Sequence, residues 1–414
     1  MAVVTADWSE LPKDLLYLIS QRIDNEIDLI RFRSICSTWR SSTIPYHDHI
    51  LQFKVPIAKY KKSYFCYLSK RSHFLIKPSP QQQQQKQTLV HRPWLIRIAN
   101  NSTGKTKLLH PQLLPPFHFH STDLDFIKLS VLHLGTDFNV DEQLRCDYKY
   151  RYPKKVVAVT PLILAILFYY KNHLVLLRCG DERWIEIPDM PSSIGDICVF
   201  KGKLYAVEEH SSKIVKVGPE DLSVQLVAKD VHGEGSDINF LVESEGELLL
   251  VDVYESFSLY FDLAGKRAHK LKIHMFRLDE KEKKWVKLTS LGDRILFLGN
   301  GCSFSTSASD LYVAKGNCVI FMDDVFYSDM LCKTGMSVFH LDKGRLSPLC
   351  DYPNYLNLFW PPPKWIIQGC THKSKMSRLS PLSDYTETTC SGYLQNGSSK
   401  AIPNCVYYLA TKDF

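Results

Sequence analysis

LLRCGDERWIEI, Leu176–Ile187, reads as an apolar strand that enters a charged turn and leaves as a second, alternating strand. Asp181-Glu182-Arg183 supplies the turn. Trp184-Ile185-Glu186-Ile187 then alternates with the period of two expected of a half-buried strand. The plan recurs at Phe276–Leu288 (FRLDEKEKKWVKL), with Glu282-Lys283-Lys284 as the turn and Trp285-Val286-Lys287-Leu288 as the strand. It recurs without the tryptophan at Leu95–Leu109, Ile214–Val227 and Val338–Leu349. The copies start 81, 38, 62 and 62 residues apart, so the repeat is loose. Between them lie further short strands: Gly202–Val207, Glu247–Val253 and Arg294–Gly299.

Many short strands at this spacing predict a mainly β chain whose large domain is a β-propeller, built from four-stranded blades of ~40–50 residues. Roughly 300 residues of such sequence give about six irregular blades. A large β-sandwich, or two smaller β domains, is the competing architecture. In a propeller, Trp184 and Trp285 hold equivalent places in two blades and belong to the core. Alternation puts each indole on the more polar face of its strand, beside Glu186 or Lys287. A neighbouring loop or blade has to cover it.

The N-terminal stretch has a different period. In WSELPKDLLYLISQRIDNEIDLIRFRSICSTWRSS, Trp8–Ser42, the residues Leu11, Leu15 and Ile19 recur at four-residue steps with Leu18 beside them, one face of a helix. Pro12 suits the first helical position and Asp14 the first turn, where the helix dipole favours an anion. Asn25 suits the cap of a second helix, with Asp28 three residues on. Leu29, Phe32, Ile35, Cys36 and Trp39 are spaced for a further apolar stripe. About 40 residues are too few to bury that much apolar surface alone. The helices pack either on the rest of the chain or into a partner's groove.

This stretch resembles an F-box. Leu11-Pro12, Asp14-Leu15-Leu16, Ile19, Leu29, Phe32, Ile35-Cys36 and Trp39-Arg40 each stand where that pattern has its characteristic residue. The rest of the chain resembles the kelch-like C-terminal domain, of unknown function, of a large plant F-box family. His110-Pro111 with Leu114-Pro115-Pro116, the strand Lys201–Tyr205 and Leu358-Phe359-Trp360-Pro361-Pro362 carry that resemblance. The paired glycines and Trp-Asp dipeptides of true kelch and WD repeats are missing, so neither binding mode transfers.

The resemblance implies an adaptor. Leu11, Pro12, Leu15, Ile19, Leu29, Phe32, Ile35, Cys36, Trp39 and Arg40 would bind the Skp-type adaptor of an SCF ubiquitin ligase, and through it the cullin and RING subunits. The β-domain would hold a substrate protein near a ubiquitin-charged enzyme, so catalysis comes from proximity. On this reading the chain carries no catalytic residue, no cofactor and no metal, and works in nucleus and cytoplasm. Two alternatives stand beside it: a propeller enzyme acting on a small molecule or sugar, and an F-box protein regulating transcription outside a ligase. Carboxylates or histidines converging on a propeller channel would favour the enzyme.

Composition bounds the rest. Of 414 residues, 45% are hydrophobic and 23% charged, the balance of a globular protein. The expected organisation is an F-box over 7–45, a β-domain over 50–369 with a flexible, glutamine-rich loop at 78–92, and a mostly disordered tail over 370–414. No signal sequence opens the chain, so the twelve cysteines are expected to be reduced. None forms a CxxC pair, which argues against zinc-binding modules. The uncharged run Val156–Tyr170 is short of the ~20 residues that cross a bilayer, and reads as two buried strands. Between His49 and Thr122 stand twelve Lys or Arg and no Asp or Glu, within a net charge of +7. Such a patch attracts acidic partners or nucleic acid, though a solvated face is the simpler reading, and nucleic acid is not expected as a partner. Gly104-Lys105-Thr106 lacks the earlier glycine of a phosphate-binding loop, where Ala99 stands. Gly299–Ser303 (GNGCS) reads as a turn between strands. His118 and His120 make two metal ligands where three are needed.

Overall fold

Twenty-two strands among the described residues fall into five sheets, preceded by three short helices, in a computed structural model. The structure describes residues 8–365 apart from 24–25, 44–52, 60–61, 79–91, 101–105, 110–128, 141–152, 160–161, 169–171, 179, 189, 191–192, 219–221, 230–237, 262–266, 323–335, 360–361 and 364. The glutamine loop, the tail, Asn25, Gly104-Lys105, His110-Pro111, His118 and His120 therefore lie outside the described residues.

Three blades are antiparallel meanders in chain order. Blade 2 holds β6 (Pro153–Val159), β7 (Leu162–Phe168), β8 (Asn172–Arg178) and β9 (Ile185–Glu186). Blade 3 holds β10 (Ile194–Phe200), β11 (Lys203–Glu208), β12 (Ile214–Val217) and β13 (Val224–Ala228). Blade 4 holds β14 (Ile238–Ser244), β15 (Glu247–Phe261), β16 (Arg267–Asp279) and β17 (Lys284–Leu288). The first turns of blades 3 and 4 are alike: Lys201-Gly202 and Glu245-Gly246 all have positive φ, the geometry of a two-residue hairpin whose twist matches the strands.

Blades 1 and 5 depart from the plan. Blade 1 holds β1 (Phe53–Lys59), β2 (Lys62–Pro78), β3 (Trp94–Asn100), β4 (Thr106–Leu109) and β5 (Leu129–Val140). The last of these in sequence, β5, lies along β2 on the side away from β3. Blade 5 is ordered β19-β18-β20-β21-β22, from β18 (Arg294–Leu298), β19 (Phe304–Ser307), β20 (Cys318–Phe321), β21 (Ser337–His340) and β22 (Arg345–Pro348). Its β18 and β20 run parallel. The inner strands close a ring: β5 against β6, β6 against β10, β10 against β14, β14 against β19, and β19 against β5.

The core confirms five blades. Five apolar clusters each fill one gap between neighbours. Val55 and Leu68 meet Val156 and Ile163 between blades 1 and 2. Leu164 and Leu176 meet Ile197 and Ala206 between 2 and 3. Tyr205 and Val207 meet Leu248 and Phe276 between 3 and 4. Val242 and Val251 meet Leu296 and Val319 between 4 and 5. Phe297 and Ile320 meet Leu75 and Leu95 where the ring closes. The expectation of about six blades was one too many. The five strand–turn–strand copies are the outer hairpins β3–β4, β8–β9, β12–β13, β16–β17 and β21–β22, one per blade. The extra length goes into long strands, seventeen residues in β2 and fifteen in β15, and into the segments between strands.

Trp184 and Trp285 do occupy equivalent places, at the start of the outermost strands of blades 2 and 4. Each is half-buried rather than fully core, and each reaches back to the preceding blade. The Trp184 indole N–H donates to the Pro56 carbonyl at 2.8 Å, and that of Trp285 to the Ser212 carbonyl at 2.9 Å. Other expectations are met locally. The uncharged run is the β6–β7 hairpin, and Gly299–Ser303 links β18 to β19. The basic stretch, expected as a solvated face, is partly built into the fold instead: Arg97 is buried, Arg71 pairs with Asp137 and Lys77 with Asp310.

A segment after β22 straps the ring shut. It contains helix α4 (Pro353–Leu356), numbered after the three N-terminal helices. The Leu95 N–H donates to the Leu358 carbonyl, the Trp94 indole to Phe359 and the Trp365 indole to Arg92. No helix among the described residues is long and apolar enough to cross a membrane.

Candidate docking surface

The N-terminal helices are α1 (Lys13–Ser20), α2 (Glu26–Arg33) and α3 (Ser37–Ser41). Pro12 caps α1 instead of opening it: its ψ of 139° is extended, and its carbonyl accepts from Leu15 and Leu16. Cys36 caps α3, its sulfur accepting from the Trp39 N–H at 3.5 Å. The single stripe expected over Leu29–Trp39 is broken, because α2 stops at Arg33 and leaves Ile35 exposed.

These helices have a small core of their own. Leu16, Phe32 and Trp39 are buried together, with Leu11, Ile23 and Cys36 packed against them. The Phe32 and Trp39 rings lie 4.4 Å apart, and the Trp39 indole donates to the Trp8 carbonyl at 3.2 Å. Arg40 is half-buried, its Nε donating to the Arg33 carbonyl at 3.4 Å.

One edge of the module is fixed to the propeller. Ile27 of α2 is fully buried among Phe74, Ile76, Trp94 and Ile96 of blade 1. Arg31, on the next turn, donates to the Leu129 carbonyl at 2.6 Å.

The opposite condition holds on α1. Leu15, Leu18 and Ile19 share one face, and they are 48%, 50% and 41% exposed. Trp8, Tyr17 and Ile35 are exposed as well. Six of the nine large apolar side chains left exposed among the described residues thus lie between Trp8 and Ile35. Scattered exposed apolar groups are ordinary, whereas concentration on one small module marks a contact surface.

The ten residues read from the sequence therefore divide. Leu15, Ile19, Ile35 and Pro12 face solvent. Phe32, Trp39 and Leu29 are buried inside the chain, and Leu11, Cys36 and Arg40 are partly covered. Buried residues shape the module; they do not offer a face to a partner. Ile27, the anchor to blade 1, was missed. It is a lone isoleucine flanked by Glu26 and Asp28, and no local pattern distinguishes it.

Three carboxylates, Asp137, Asp196 and Asp252, are buried on β5, β10 and β15, and each has structural partners. Asp196 of β10 binds Lys155 of β6 at 2.6 Å and accepts from the Leu241 N–H of β14 at 2.8 Å, tying three inner strands together. Asp137 pairs with Arg71. Burial opposes its charge, yet the Arg71 and Arg97 guanidiniums hold its carboxyl below the usual range. His73 beside it is driven down to about 3 by burial and stays neutral. Asp252 accepts from Asn239 and Ser212, and burial pushes it up to about 6. No group of three or more metal-ligating side chains is found among the described residues.

The chain is thus a five-bladed propeller preceded by three short helices, the first of which turns an apolar face outward. Residues 44–340 match the family model of the KIB1-4 beta-propeller. F-box protein SKIP23 of Arabidopsis thaliana is 32% identical over 90% of this chain and 99% of its own length. F-box protein At2g17036 is 31% identical over 87% of this chain and 95% of its own, and a putative F-box/kelch-repeat protein, At5g24040, 27% over 87% and 99%, both from the same plant. The chain belongs to the plant F-box family that carries this propeller domain. A solved α-L-arabinofuranosidase from Clostridium thermocellum aligns with 69% of the chain at 10% identity and a TM-score of 0.22, too low to carry an argument.

Proposed function

We propose that this chain is the substrate receptor of an SCF-type ubiquitin ligase: the N-terminal module docks the Skp-type adaptor, and the propeller holds the protein to be ubiquitinated. The observation that carries the reading is the outward face of α1. Leu15, Leu18 and Ile19 are left about half-exposed while Leu16 on the inner face is fully buried. A helix that keeps its greater apolar area in water stays soluble by giving that area to a partner groove. The names of the relatives agree with this role. The chain itself supplies position, not chemistry, and the cullin and RING subunits come with the adaptor.

The test is affinity purification of the full chain with the proteasome blocked, beside the variant Leu15→Ala/Leu18→Ala/Ile19→Ala. Adaptor and cullin should come down with the parent and not with the variant, while substrate proteins bound by the propeller remain with both. Equal recovery of the adaptor with both chains would refute the assignment.

A further inference from the structure

The bed that receives Ile27 is a part of blade 1 that the ring itself does not cover. Alternation along β2 and β3 sends Phe74, Ile76, Trp94 and Ile96 to one face of the blade, and Leu75 and Leu95 to the other. Blade 5 closes the second face. On the first, blade 2 covers Val55 and Leu68. The cluster around Phe74 and Trp94 holds no residue of blade 2 among the described residues. With seventeen residues against seven in β7, β2 outruns its neighbour. Leu129 and Val131 of β5 pack against this cluster from within the blade. The rest of its cover comes from far away in the sequence: Ile27 of α2, and Trp365 beyond α4.

The N-terminal module is held at two points on one face of α2. Ile27 is buried in the bed, and Arg31, one turn on, donates to the Leu129 carbonyl. An ion pair with Asp28 at 3.0 Å steadies the Arg31 guanidinium. Phe32 of the same helix lies in the module's own core with Leu16 of α1 and Trp39 of α3. A helix gripped by the propeller through Ile27 and by α1 through Phe32 passes the orientation of blade 1 on to α1.

The strap reaches the same bed by crossing over blade 1. Its Tyr355, Leu358 and Phe359 lie in the cluster that closes the ring, with Leu75 and Leu95. Trp365 packs on the opposite face, against the cluster of Ile76, Trp94 and Ile27. Hydrogen bonds pin the crossing around the start of β3: the Leu95 N–H to Leu358, the Trp94 indole to Phe359, and the Trp365 indole to Arg92 at 3.0 Å. One segment therefore closes the ring and completes the seat of the N-terminal module. We propose that Trp365 is a positioning residue for docking: its indole completes the bed that holds Ile27, and so fixes the angle at which α1 presents Leu15, Leu18 and Ile19 relative to the propeller. On the substrate-receptor reading, on which this rests, the span between adaptor and cargo is then set by the fold. Two proteins held on one scaffold meet at a rate that depends on that span. Trp365 touches neither of them in this role and acts through Ile27.

The test uses the full chain with a donor and an acceptor dye on unnatural residues at positions 13 and 225, both exposed. Lifetime-resolved energy transfer gives the distribution of distances between α1 and blade 3. The parent should show one narrow distribution. Trp365→Ala should widen it about twofold or more, and Ile27→Ala should do the same from the other side of the bed. Trp365→Phe keeps a ring in the bed and loses only the bond to Arg92, so its distribution should return to the parent's. An unchanged width in Trp365→Ala or in Ile27→Ala, or no rescue by phenylalanine, would overturn the proposal. Purified adaptor is titrated into the same samples. Its Kd should stay within about threefold across the variants, because the α1 face is untouched. A larger loss with Trp365→Ala would mean that the residue shapes the face and does not aim it, which also overturns the proposal. An adaptor that fails to bind the parent refutes the docking reading, while the distances alone decide whether Trp365 positions the module.

Discussion

Replacing Leu15, Leu18 and Ile19 together by alanine should separate docking from folding. Fully burying a leucine or isoleucine is worth about 1.5–3 kcal/mol. In the free chain these side chains are already about half covered, so docking recovers about 1 kcal/mol from each. The triple variant should lose about 3 kcal/mol of adaptor affinity, a factor of roughly 100–200 in Kd. Alanine is the best helix former, so α1 should keep its shape. Surface truncations of this kind move stability by about 0.5 kcal/mol or less each. Calorimetric titration of purified adaptor gives the affinity, and circular dichroism melting gives the stability. A Kd within threefold of the parent, with the melt unchanged, would show that this face is not where the adaptor binds.

Trp39→Ala should abolish adaptor binding by another route: losing a buried indole costs about 3–5 kcal/mol, more than so small a module can spare, so limited proteolysis should open residues 8–43 while the propeller melts as before. Asp252→Asn should stabilise the fold above neutral pH. The folded carboxyl sits at about 6, above its ordinary 3.8, so it binds its proton more tightly when folded and stability falls as pH rises between those values; the substitution should return up to about 3 kcal/mol at pH 8 and nothing below pH ~4, read by urea unfolding at both. Trp184→Phe and Trp285→Phe each remove one indole donor to the preceding blade and should cost about 1 kcal/mol apiece, additive in the double variant because the sites share no partner; a double variant that melts with the parent would show that these bonds do not tie the blades.

Much of the architecture is written locally. The five strand–turn–strand copies mark the five outer hairpins, because a hairpin needs only a turn and two alternating strands, all within about a dozen residues. The need to cover Trp184 and Trp285 follows from the same alternation, and the covering carbonyls come from the blade before. What stays hidden depends on distant parts of the chain. Nothing near Leu129 says that β5 will take the innermost place in blade 1, and nothing near Cys318 says that β20 will lie parallel to β18. On α1, Leu15, Leu16, Leu18 and Ile19 spread apolar surface around the helix, so periodicity shows that it must be buried without saying which side is buried by this chain. Phe32 and Trp39 fit a docking pattern equally well as contacts and as the core beneath them, and only burial tells the two apart.

The strap across the ring also sets a timetable for synthesis. Trp94 waits for Phe359 across 265 residues, and Arg92 for Trp365 across 273. At a ribosomal pace of ~5–20 residues per second, that is a delay of roughly 13–55 seconds. During it the apolar bed that will hold Ile27 lacks its C-terminal cover, while α1–α3 have already emerged. On the proposed receptor reading, a partner could meet the outward face of α1 before the propeller exists as a closed ring. A chain that ends before Leu358 would keep the outward face of α1 while leaving the ring behind it unlatched.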